Sequence, residues 1–372
     1  MKLSCLQENF SRGLNICSRI TSGGKPGLAI LENVILIAKK GLLELSSTNL
    51  EVAITTQVRA KVEKQGKITI PAQLLANYVD LLPNEALTLT TTNHELTIKS
   101  KNQKAKIKGI SAEEFPIIPQ IEKKDKYIIE SKNLKDALEK TSFTISPAET
   151  RTEISGALFA FNWPKKNILT IVSTDSYRLA RCEIPFKKPI GEKREDIIVP
   201  LKTIREILRI ITNKGDVELY LVPNQILFVY EGTELISRII SGAYPDYEQI
   251  IPDKIVTRAH LEKENFLKII KAASFFAEPG VNDISLEFLP KKNSLLVTSV
   301  NNKIGEHAAE VKTEISGQPC KITFNYRYLI DGLANMGHGE ISLEIVDSNT
   351  PGLIKSVDDP SYLYLIMPIQ PR

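Results

Sequence analysis

The chain has 372 residues, of which 42% are hydrophobic and 25% are charged. This composition matches average globular usage and excludes long disorder, collagen, a disulfide scaffold and a coiled coil. The length exceeds one ordinary core and predicts two or three domains, and three would have about 124 residues each. The net charge of +4, from 48 basic and 44 acidic residues, is too small to indicate nucleic-acid binding by itself.

Signals for targeting, metals and cofactors are absent from the sequence pattern. The first residues lack a signal-peptide core and no run reaches the ~18–20 apolar residues that span a bilayer, so we expect a cytoplasmic protein. Reduced, mostly buried thiols are expected at the four separated cysteines, Cys5, Cys17, Cys182 and Cys320. The four histidines each stand alone, at His94, His260, His307 and His338. We therefore expect no metal site, no cofactor and no catalytic triad.

The clearest pattern is a threefold internal repeat. A helix pattern, a loop, an alternating strand, a charged turn and a second strand follow one another over residues 10–54, 134–180 and 266–308. Equivalent strand positions, such as Leu43, Leu169 and Leu295, lie 126 residues apart, twice. A repeat at this spacing predicts three copies of one structural unit.

Each unit has a second half that also repeats. A strand leads into a predicted helix at residues 73–82, 202–211 and 327–334, and a Pro or Gly signal follows each helix. Alternating strands come next, for instance at residues 217–221 and 341–345. Two helices and about eight short strands per unit predict an α+β fold in which helices cover one face of the sheets. Near-equal repeats without a phosphate-binding loop or clustered acid and base residues favour a scaffold over an enzyme.

Basic residues recur on one face of the predicted helices. Lys202, Arg205 and Arg209 share a face opposite an apolar stripe. Sparser versions are Arg12 with Arg19, and Lys263 with Lys268 and Lys271. Such a face is often only solvated. If it does contact nucleic acid, the pattern predicts backbone contacts without base recognition and a strong dependence on salt.

Four segments carry a resemblance to a known family, in the order that the family shows: Ile30-Leu31-Glu32-Asn33, Ser173-Thr174-Asp175-Ser176-Tyr177-Arg178-Leu179-Ala180, Tyr244-Pro245-Asp246-Tyr247 followed by Ile251-Pro252, and Tyr364-Leu365-Ile366-Met367-Pro368-Ile369. With its threefold repeat, the chain resembles the bacterial DNA polymerase III beta subunit, the sliding clamp. The resemblance implies three clamp domains, at residues 1–125, 126–254 and 255–372, each with two helices and two antiparallel four-stranded sheets. It also implies a head-to-tail homodimeric ring.

The same resemblance implies the function. Such a ring encircles double-stranded DNA without sequence preference and tethers the replicative polymerase as a processivity factor, with no reaction of its own. The implied protein partners are the DNA polymerase III alpha subunit, the clamp loader delta subunit, repair polymerases, mismatch-repair proteins and ligase.

In the family, an apolar pocket between the second and third domains receives a short peptide from these partners. The matching positions are Ile154, Thr174, Ser176, Tyr177, Arg178, Leu179, Pro245, Gln249, Ile250, Met367, Pro368 and Ile369. Taken alone, Met367 and Pro368 also fit the end of a core strand. Ser176-Tyr177 replaces a common Gly-His, and the chain ends in Gln370-Pro371-Arg372 where many members end in Arg and Leu. We therefore expect an unchanged apolar floor and an altered peptide preference at the rim.

The resemblance also implies DNA and dimer contacts. For DNA it points to Lys25 and Arg151 in two loops, with Lys202, Arg205 and Arg209 as further contacts, since Gln73 stands where a helix arginine is common. The dimer candidates are Tyr78, Leu82, Lys104 and Lys106 on the first domain, and Phe275, Phe276, Glu306 and Glu310 on the third. Two alternatives stay open: core packing of the phenylalanines, and lysines that protect an edge strand against aggregation.

Two other functions stay open at this point. A hydrolase would need a convergent carboxylate pair in a cleft, which the spacing does not support. A repeat scaffold that binds only proteins is the main alternative. Salt-dependent retention on DNA distinguishes it from a clamp, because a scaffold of this kind should show none.

Overall fold

The computed structural model describes residues 1–23, 28–147, 150–188, 191 and 193–369. The chain forms two compact units, Met1–Lys132 with Arg205–Ile239, and Asn133–Ile204 with Ile240–Arg372. Within the described ranges, no helix is long and apolar enough to cross a membrane.

The first repeat alternates strands with two helices, α1 (Gln7–Cys17) and α2 (Ala72–Asp80). Its strands are β1 (Lys2–Leu6), β2 (Asn33–Lys39), β3 (Leu42–Thr48), β4 (Val52–Arg59), β5 (Lys61–Lys64), β6 (Gly66–Pro71), β7 (Ala86–Thr92), β8 (Glu95–Lys99) and β9 (Lys104–Lys108).

The second repeat follows the same order with helices α3 (Ser131–Ser142) and α4 (Leu201–Ile210). Its strands are β10 (Tyr127–Glu130), β11 (Gly156–Phe161), β12 (Ile168–Thr174), β13 (Arg178–Pro185), β14 (Glu195–Pro200), β15 (Asp216–Val222), β16 (Gln225–Tyr230) and β17 (Thr233–Arg238).

The third repeat has helices α5 (Lys263–Ser274) and α6 (Tyr326–Asn335). Its strands are β18 (Thr257–Glu262), β19 (Asp283–Leu289), β20 (Ser294–Asn301), β21 (Gly305–Lys312), β22 (Ile315–Ser316), β23 (Cys320–Asn325), β24 (Glu340–Ile345), β25 (Gly352–Ser356) and β26 (Tyr362–Ile366). The helices predicted at 73–82, 202–211 and 327–334 thus correspond to α2, α4 and α6.

The sheets repeat one strand order three times. One unit contains a five-stranded sheet, β5-β1-β7-β8-β9, and an eight-stranded sheet, β10-β15-β16-β17-β4-β3-β2-β6. The other contains a nine-stranded sheet, β14-β11-β12-β13-β26-β25-β24-β18-β22, and a four-stranded sheet, β21-β20-β19-β23. Each repeat therefore supplies two antiparallel four-stranded sets, which confirms the predicted α+β fold.

Two of these sets join end to end in each large sheet, and both junctions have the same geometry. β17 pairs with β4, and β26 pairs with β13, each antiparallel. Beyond the paired residues, the N–H of Arg238 donates to the carbonyl of Glu51, and the N–H of Met367 donates to the carbonyl of Tyr177, both at 2.9 Å. β9 holds the place of β17 and β26 in the first repeat, and β21 holds the place of β4 and β13 in the third. No described strand pairs with the outer edge of either.

The helices pack one apolar stripe onto the sheets. In α1 the stripe is Phe10, Leu14 and Cys17, all fully buried. Gly13 lies in the same contact, where a Cβ would come within 2.9 Å of Val58 Cγ2, so glycine permits a close approach of α1 to β4.

The cysteines agree with the prediction of free, mostly buried thiols. Cys5, Cys17 and Cys182 are buried and Cys320 is partly buried, all without a disulfide. Burial raises the pKa of Cys5 and of Cys17 to about 12. These thiols are therefore protonated and unreactive near neutral pH.

The predicted basic face of α5 is wrong at its first member. Lys263 is buried, its Nζ donates to the carbonyl of Met336 at 3.1 Å, and it pairs with Glu264 at 3.1 Å. Its ammonium therefore ties the start of α5 to the end of α6, and only Lys268 and Lys271 are exposed.

Candidate functional site

The turn between β12 and β13 forms the centre of the candidate site. Thr174 Oγ1 donates to the carbonyl of Arg178 at 2.7 Å and accepts from the N–H of Ser176 at 3.0 Å. Asp175 Oδ1 accepts from the N–H groups of Tyr177 and Arg178 at 3.0 and 3.1 Å. These bonds support Ser176 at a φ of 77°. The fixed turn presents Tyr177, which is 62% exposed.

The turn between β3 and β4 repeats this hydrogen-bond pattern. Thr48 Oγ1 donates to the carbonyl of Val52 at 2.9 Å and accepts from the N–H of Leu50 at 3.0 Å. Asn49 Oδ1 accepts from the N–H groups of Glu51 and Val52 at 3.0 and 2.8 Å. Thr followed by Asn or Asp is therefore a structural feature of the first two repeats, whereas Val300 stands at the equivalent position of the third.

The end of β26 brings the C-terminal segment to this turn. The N–H of Met367 donates to the carbonyl of Tyr177 at 2.9 Å, and that of Ile369 donates to the carbonyl of Thr323 at 2.8 Å. The side chain of Met367 packs against a buried apolar cluster. This cluster consists of Leu158, Ala160, Val172, Leu179, Tyr247, Leu353, Leu363 and Leu365. Leu179 and Met367, which lie far apart in sequence, thus form one apolar surface.

The connecting segment at residues 240–256 packs against the same apolar cluster. Tyr247 is a buried member of the apolar cluster, and Tyr244 packs against it. Pro245 lines a cavity of about 450 Å³ together with Leu158, Trp163 and neighbouring residues. Gln249 and Ile250 are exposed on the short 3-10 helix Glu248–Ile250. Ile154 is buried just before β11, so the predicted pocket positions all belong to one unit.

Arg178 is the most strongly held polar group of the site. Its Nε donates to Asp175 Oδ2 at 3.0 Å, its Nη1 to Asp331 Oδ2 at 2.5 Å and its Nη2 to the carbonyl of Phe143 at 3.3 Å. Burial alone would lower the pKa of Arg178. The interactions with Tyr364, Asp331 and Asp175 outweigh burial and raise it. The side chain is therefore a permanently charged brace between the turn and α6.

Sequence reasoning missed an aromatic layer around Arg178. The guanidinium carbon lies 4.6 Å from the ring centroid of Tyr328 and 5.5 Å from that of Phe143. The rings of Tyr177 and Tyr328 stack with centroids 6.4 Å apart. Tyr364 anchors α6, because its hydroxyl donates to the carbonyl of Tyr328 at 2.9 Å. No spacing in the sequence links these residues.

Of the two loop residues predicted to contact DNA, Arg151 lies beside the turn. Its Nη1 donates to Ser176 Oγ at 2.9 Å, and the residue is exposed. This contact places Arg151 at the tip of the turn that presents Tyr177. Lys25 lies outside the described residues.

The predicted basic face of α4 is solvent-exposed. Lys202, Arg205 and Arg209 are all exposed, whereas Ile207 on the apolar stripe is buried. Arg209 Nη1 pairs with Glu206 Oε1 at 2.5 Å, which offsets part of its charge. Phosphates could approach these side chains without displacing any packed group.

The predicted dimer residues of the strands lie on the two unpaired edges. Lys104 and Lys106 are exposed on β9, and Glu306 and Glu310 are exposed on β21. Lys106 Nζ pairs with Glu95 Oε1 at 2.8 Å within its own sheet. The two edges therefore carry opposite charge.

Among the apolar dimer candidates, exposure varies. Phe275 is 78% exposed, and Phe276 is half-buried with its ring 5.8 Å from that of His307. Leu82 is only 5% exposed, so little of its side chain is left for a partner, and Tyr78 is half-buried. Leu81, directly beside Leu82, is 83% exposed. Helix periodicity did not show which of these two leucines is buried, because both follow the last turn of α2.

Comparison with known proteins is consistent across the chain. Models of the DNA polymerase III beta subunit match in three consecutive segments, the N-terminal domain at residues 1–119, the central domain at 128–246 and the C-terminal domain at 248–370. A beta sliding clamp of Synechococcus elongatus is 30% identical over 378 residues, covering 100% of both chains. One of Staphylococcus aureus is 26% identical and covers 100% of this chain and 99% of the relative.

A solved structure extends the likeness to the fold. The DNA polymerase sliding clamp from Bacillus subtilis matches with a TM-score of 0.94 at 24% identity, over 100% of both chains. Three consecutive domain matches, a full-length relative and the threefold repeated α+β fold lead to one conclusion: the chain belongs to the DNA polymerase III beta subunit family.

Proposed function

We propose that this chain is a DNA sliding clamp, a homodimeric ring that encircles double-stranded DNA and tethers the replicative polymerase and other DNA-processing proteins. It performs no reaction of its own. Its domains are residues 1–125, 126–254 and 255–372, and two copies would bring six similar domains into the ring. The function rests on family membership together with one structural observation, the repeated strand junction.

The junction supports ring closure in the following way. β17 joins β4 and β26 joins β13 by the same antiparallel pairing, and the corresponding strands β9 and β21 carry free edges. We propose that a third junction of this type forms between copies, β9 of one with β21 of the other. Because the two edges differ, the contact is head-to-tail, and a head-to-tail contact closes into a ring when its rotation permits.

We propose that the partners bind through the apolar surface around Leu179 and Met367. Its floor is buried and its rim carries Tyr177, Arg178 and Arg151, which suits a short peptide with bulky apolar anchors and a polar flank. The proposed peptides come from the DNA polymerase III alpha subunit, the clamp loader delta subunit, repair polymerases, mismatch-repair proteins and ligase.

We propose sequence-independent DNA contacts through Lys25, Lys202, Arg205 and Arg209. Exposed basic side chains on a helix contact phosphates without reading bases, and such contacts weaken steeply with salt. Arg151 is assigned to the peptide rim in preference to DNA because of its bond to Ser176.

The test is topological retention on DNA. The protein is loaded by a clamp loader onto nicked circular DNA and passed over a gel-filtration column in high salt. We expect it to stay with the circle and to be lost when the circle is linearised, because a ring slides off an open end. Equal retention on circular and linear DNA would contradict encirclement. No retention on either would favour the scaffold that binds only proteins.

A further inference from the structure

Four side chains beside the connecting segment at residues 240–256 form a group that we call the Trp163 cluster: Trp163, Arg194, Asp196 and Glu248. We propose that this cluster positions the connecting segment for peptide binding and thereby sets the affinity of the proposed peptide site. This inference rests on the proposed function and adds positioning residues to it.

The connecting segment is attached to the sheets mainly at its two ends. At one end the N–H of Ile240 donates to the carbonyl of Ile198 at 2.9 Å, and at the other the N–H of Val256 donates to the carbonyl of Ile345 at 3.1 Å. Between these ends, the main-chain hydrogen bonds of the described residues stay within the segment. Three of the proposed peptide-site positions lie there, namely Pro245, Gln249 and Ile250. Side chains must therefore fix the middle of the segment.

The Trp163 cluster connects β14 to this segment. Trp163 is half-buried against the apolar cluster, and its Nε1 donates to Glu248 Oε1 at 2.8 Å. The guanidinium carbon of Arg194 lies 4.1 Å from the centroid of the Trp163 ring. Arg194 in turn donates from Nε and Nη2 to Asp196 Oδ2 at 3.0 and 2.8 Å. The hydrogen bond to Asp196, with a smaller contribution from the charge of Glu248, raises the pKa of Arg194. A charged, oriented guanidinium thus covers the indole that holds Glu248.

Two cavities show that the segment is loosely packed around the cluster. One measures about 450 Å³ and the other about 190 Å³, and Trp163, Tyr247 and Glu248 line both. Side chains beside such voids lack packing partners on one side. Pro245 lines the larger cavity, so a shift of the segment into that space would displace a peptide-site position. The bond between Trp163 and Glu248 opposes this shift.

The hairpin that carries Trp163 is longer than its counterpart in the first repeat. Ala160 pairs with Thr170, ten positions later, whereas Ile37 pairs with Glu44, seven positions later. Glu44 and Thr170 are equivalent, 126 residues apart, so three residues are added in the turn that contains Trp163. None of the proposed peptide-site positions lies in the segment after the first repeat, residues 110–126. The longer turn therefore accompanies the connecting segment that carries those positions, which favours a role in binding over a general role in the fold.

The first test is the affinity for a labelled peptide from the DNA polymerase III alpha subunit, measured by fluorescence anisotropy. Glu248 is exposed, so its replacement leaves the buried core intact. Glu248→Ala should lower the affinity about fivefold, because the affinity falls with the fraction of molecules that hold the segment in the binding geometry. Glu248→Gln keeps an acceptor for the indole N–H and should stay within twofold of the wild type. The matched control is Asp253→Ala, which removes an exposed carboxylate of the same segment outside the cluster and should also stay within twofold.

The second measurement follows the contact itself. Trp163 is the single tryptophan of the chain, so intrinsic tryptophan fluorescence reports on this cluster alone. The emission of Glu248→Ala should shift to longer wavelength because the released indole becomes more exposed to water. Glu248→Gln and Asp253→Ala should keep the wild-type emission.

An independent variant removes the donor in place of the acceptor. Trp163→Phe keeps an apolar ring but lacks the N–H, so it should lower the affinity as much as Glu248→Ala. The double variant should bind no more weakly than either single variant, because both remove the same contact. Additive losses would overturn the inference.

The remaining outcomes separate this inference from the proposed function. A shifted emission in Glu248→Ala with wild-type affinity would show a contact that does not influence the site, and an unchanged emission would show that the contact is not made. An equal loss of affinity in Glu248→Ala and Asp253→Ala would assign the effect to charge alone. Each of these results overturns the positioning role and leaves the proposed peptide site in place. A wild type that does not bind the peptide overturns the peptide site itself.

Discussion

Replacing Arg178 by alanine removes the buried guanidinium around which the proposed peptide site is arranged. The side chain is 12% exposed and donates to Asp175, Asp331 and the carbonyl of Phe143. It also lies 4.6 Å from the ring centroid of Tyr328. Alanine leaves two carboxylates and one carbonyl without this donor.

The magnitude follows from how each partner is solvated. A hydrogen bond to a charged group contributes about 1.5–3 kcal/mol when buried. Asp331 is nearly half exposed and can turn to water, so its loss belongs to the surface range of about 0–1 kcal/mol. Asp175 is mostly buried but keeps two backbone donors. The contact with Tyr328 adds about 0.5–1 kcal/mol. We expect Arg178→Ala to lower the free energy of unfolding by about 3 kcal/mol.

Urea denaturation measures the loss of free energy of unfolding, and fluorescence anisotropy with a labelled polymerase peptide measures the affinity for the peptide. The matched control is Arg12→Ala, since Arg12 forms one exposed pair with Glu231 at 3.4 Å and should cost less than about 1 kcal/mol. Arg178→Ala should lower the affinity for the peptide at least tenfold because Tyr177 and Tyr328 lose the guanidinium that supports them. Arg178→Lys should give a stability and a peptide affinity between those of the wild type and of Arg178→Ala, because lysine keeps the charge but lacks the planar guanidinium. A cost equal to that of Arg12→Ala, with unchanged peptide affinity, would refute the reasoning.

Three further outcomes are expected. Met367→Ala combined with Pro368→Ala should abolish peptide binding in the anisotropy assay while light scattering still reports the dimer, and unchanged affinity would contradict the pocket. Burial acts to raise the pKa of Glu344, but its basic neighbours hold it below the ordinary value of 4.5, so its stabilising effect is complete above that value and is lost as pH falls through the lower folded-state pKa. Glu344→Gln should therefore flatten the decline of the urea midpoint below pH 4.5, and a parallel decline would count against this pairing. Arg205→Ala should reduce the slope of log K against log salt for DNA binding by about 0.9, and an unaltered slope would remove Arg205 from the contact.

Local patterns made most of the architecture predictable. Helix stripes and strand alternation depend on neighbouring residues, so α2, α4 and α6 agree with their predicted ranges to within two residues. The threefold repeat then restricted the possible folds, because the same structural unit had to fit the sequence of all three repeated segments. The charged edges were visible for the same reason, since alternating lysines mark an exposed strand wherever it lies.

The resemblance predicted the pocket positions, but the residues that hold those positions in place came from the structure. Asp331 lies 153 residues from Arg178, and no periodicity relates the two. The burial of Lys263 was equally unpredictable from the sequence. Its contact with the carbonyl of Met336 depends on how α5 packs against the end of α6. Arg151 was predicted to contact DNA from its loop, and the structure adds its bond to Ser176, which no pattern in the sequence predicts.

The sequence by itself determined three copies of an α+β unit, the apolar stripes that bury their helices and the charges on two edge strands. The net charge of +4 carried none of this, because a sum over the whole chain does not show that exposed lysines lie on β9 and exposed glutamates on β21. Only the tertiary structure decided which strands join, in which register, and which distant side chains complete the turn around Tyr177. Periodicity depends on residues a few positions apart, whereas pairing and packing depend on which surfaces meet after the chain has folded.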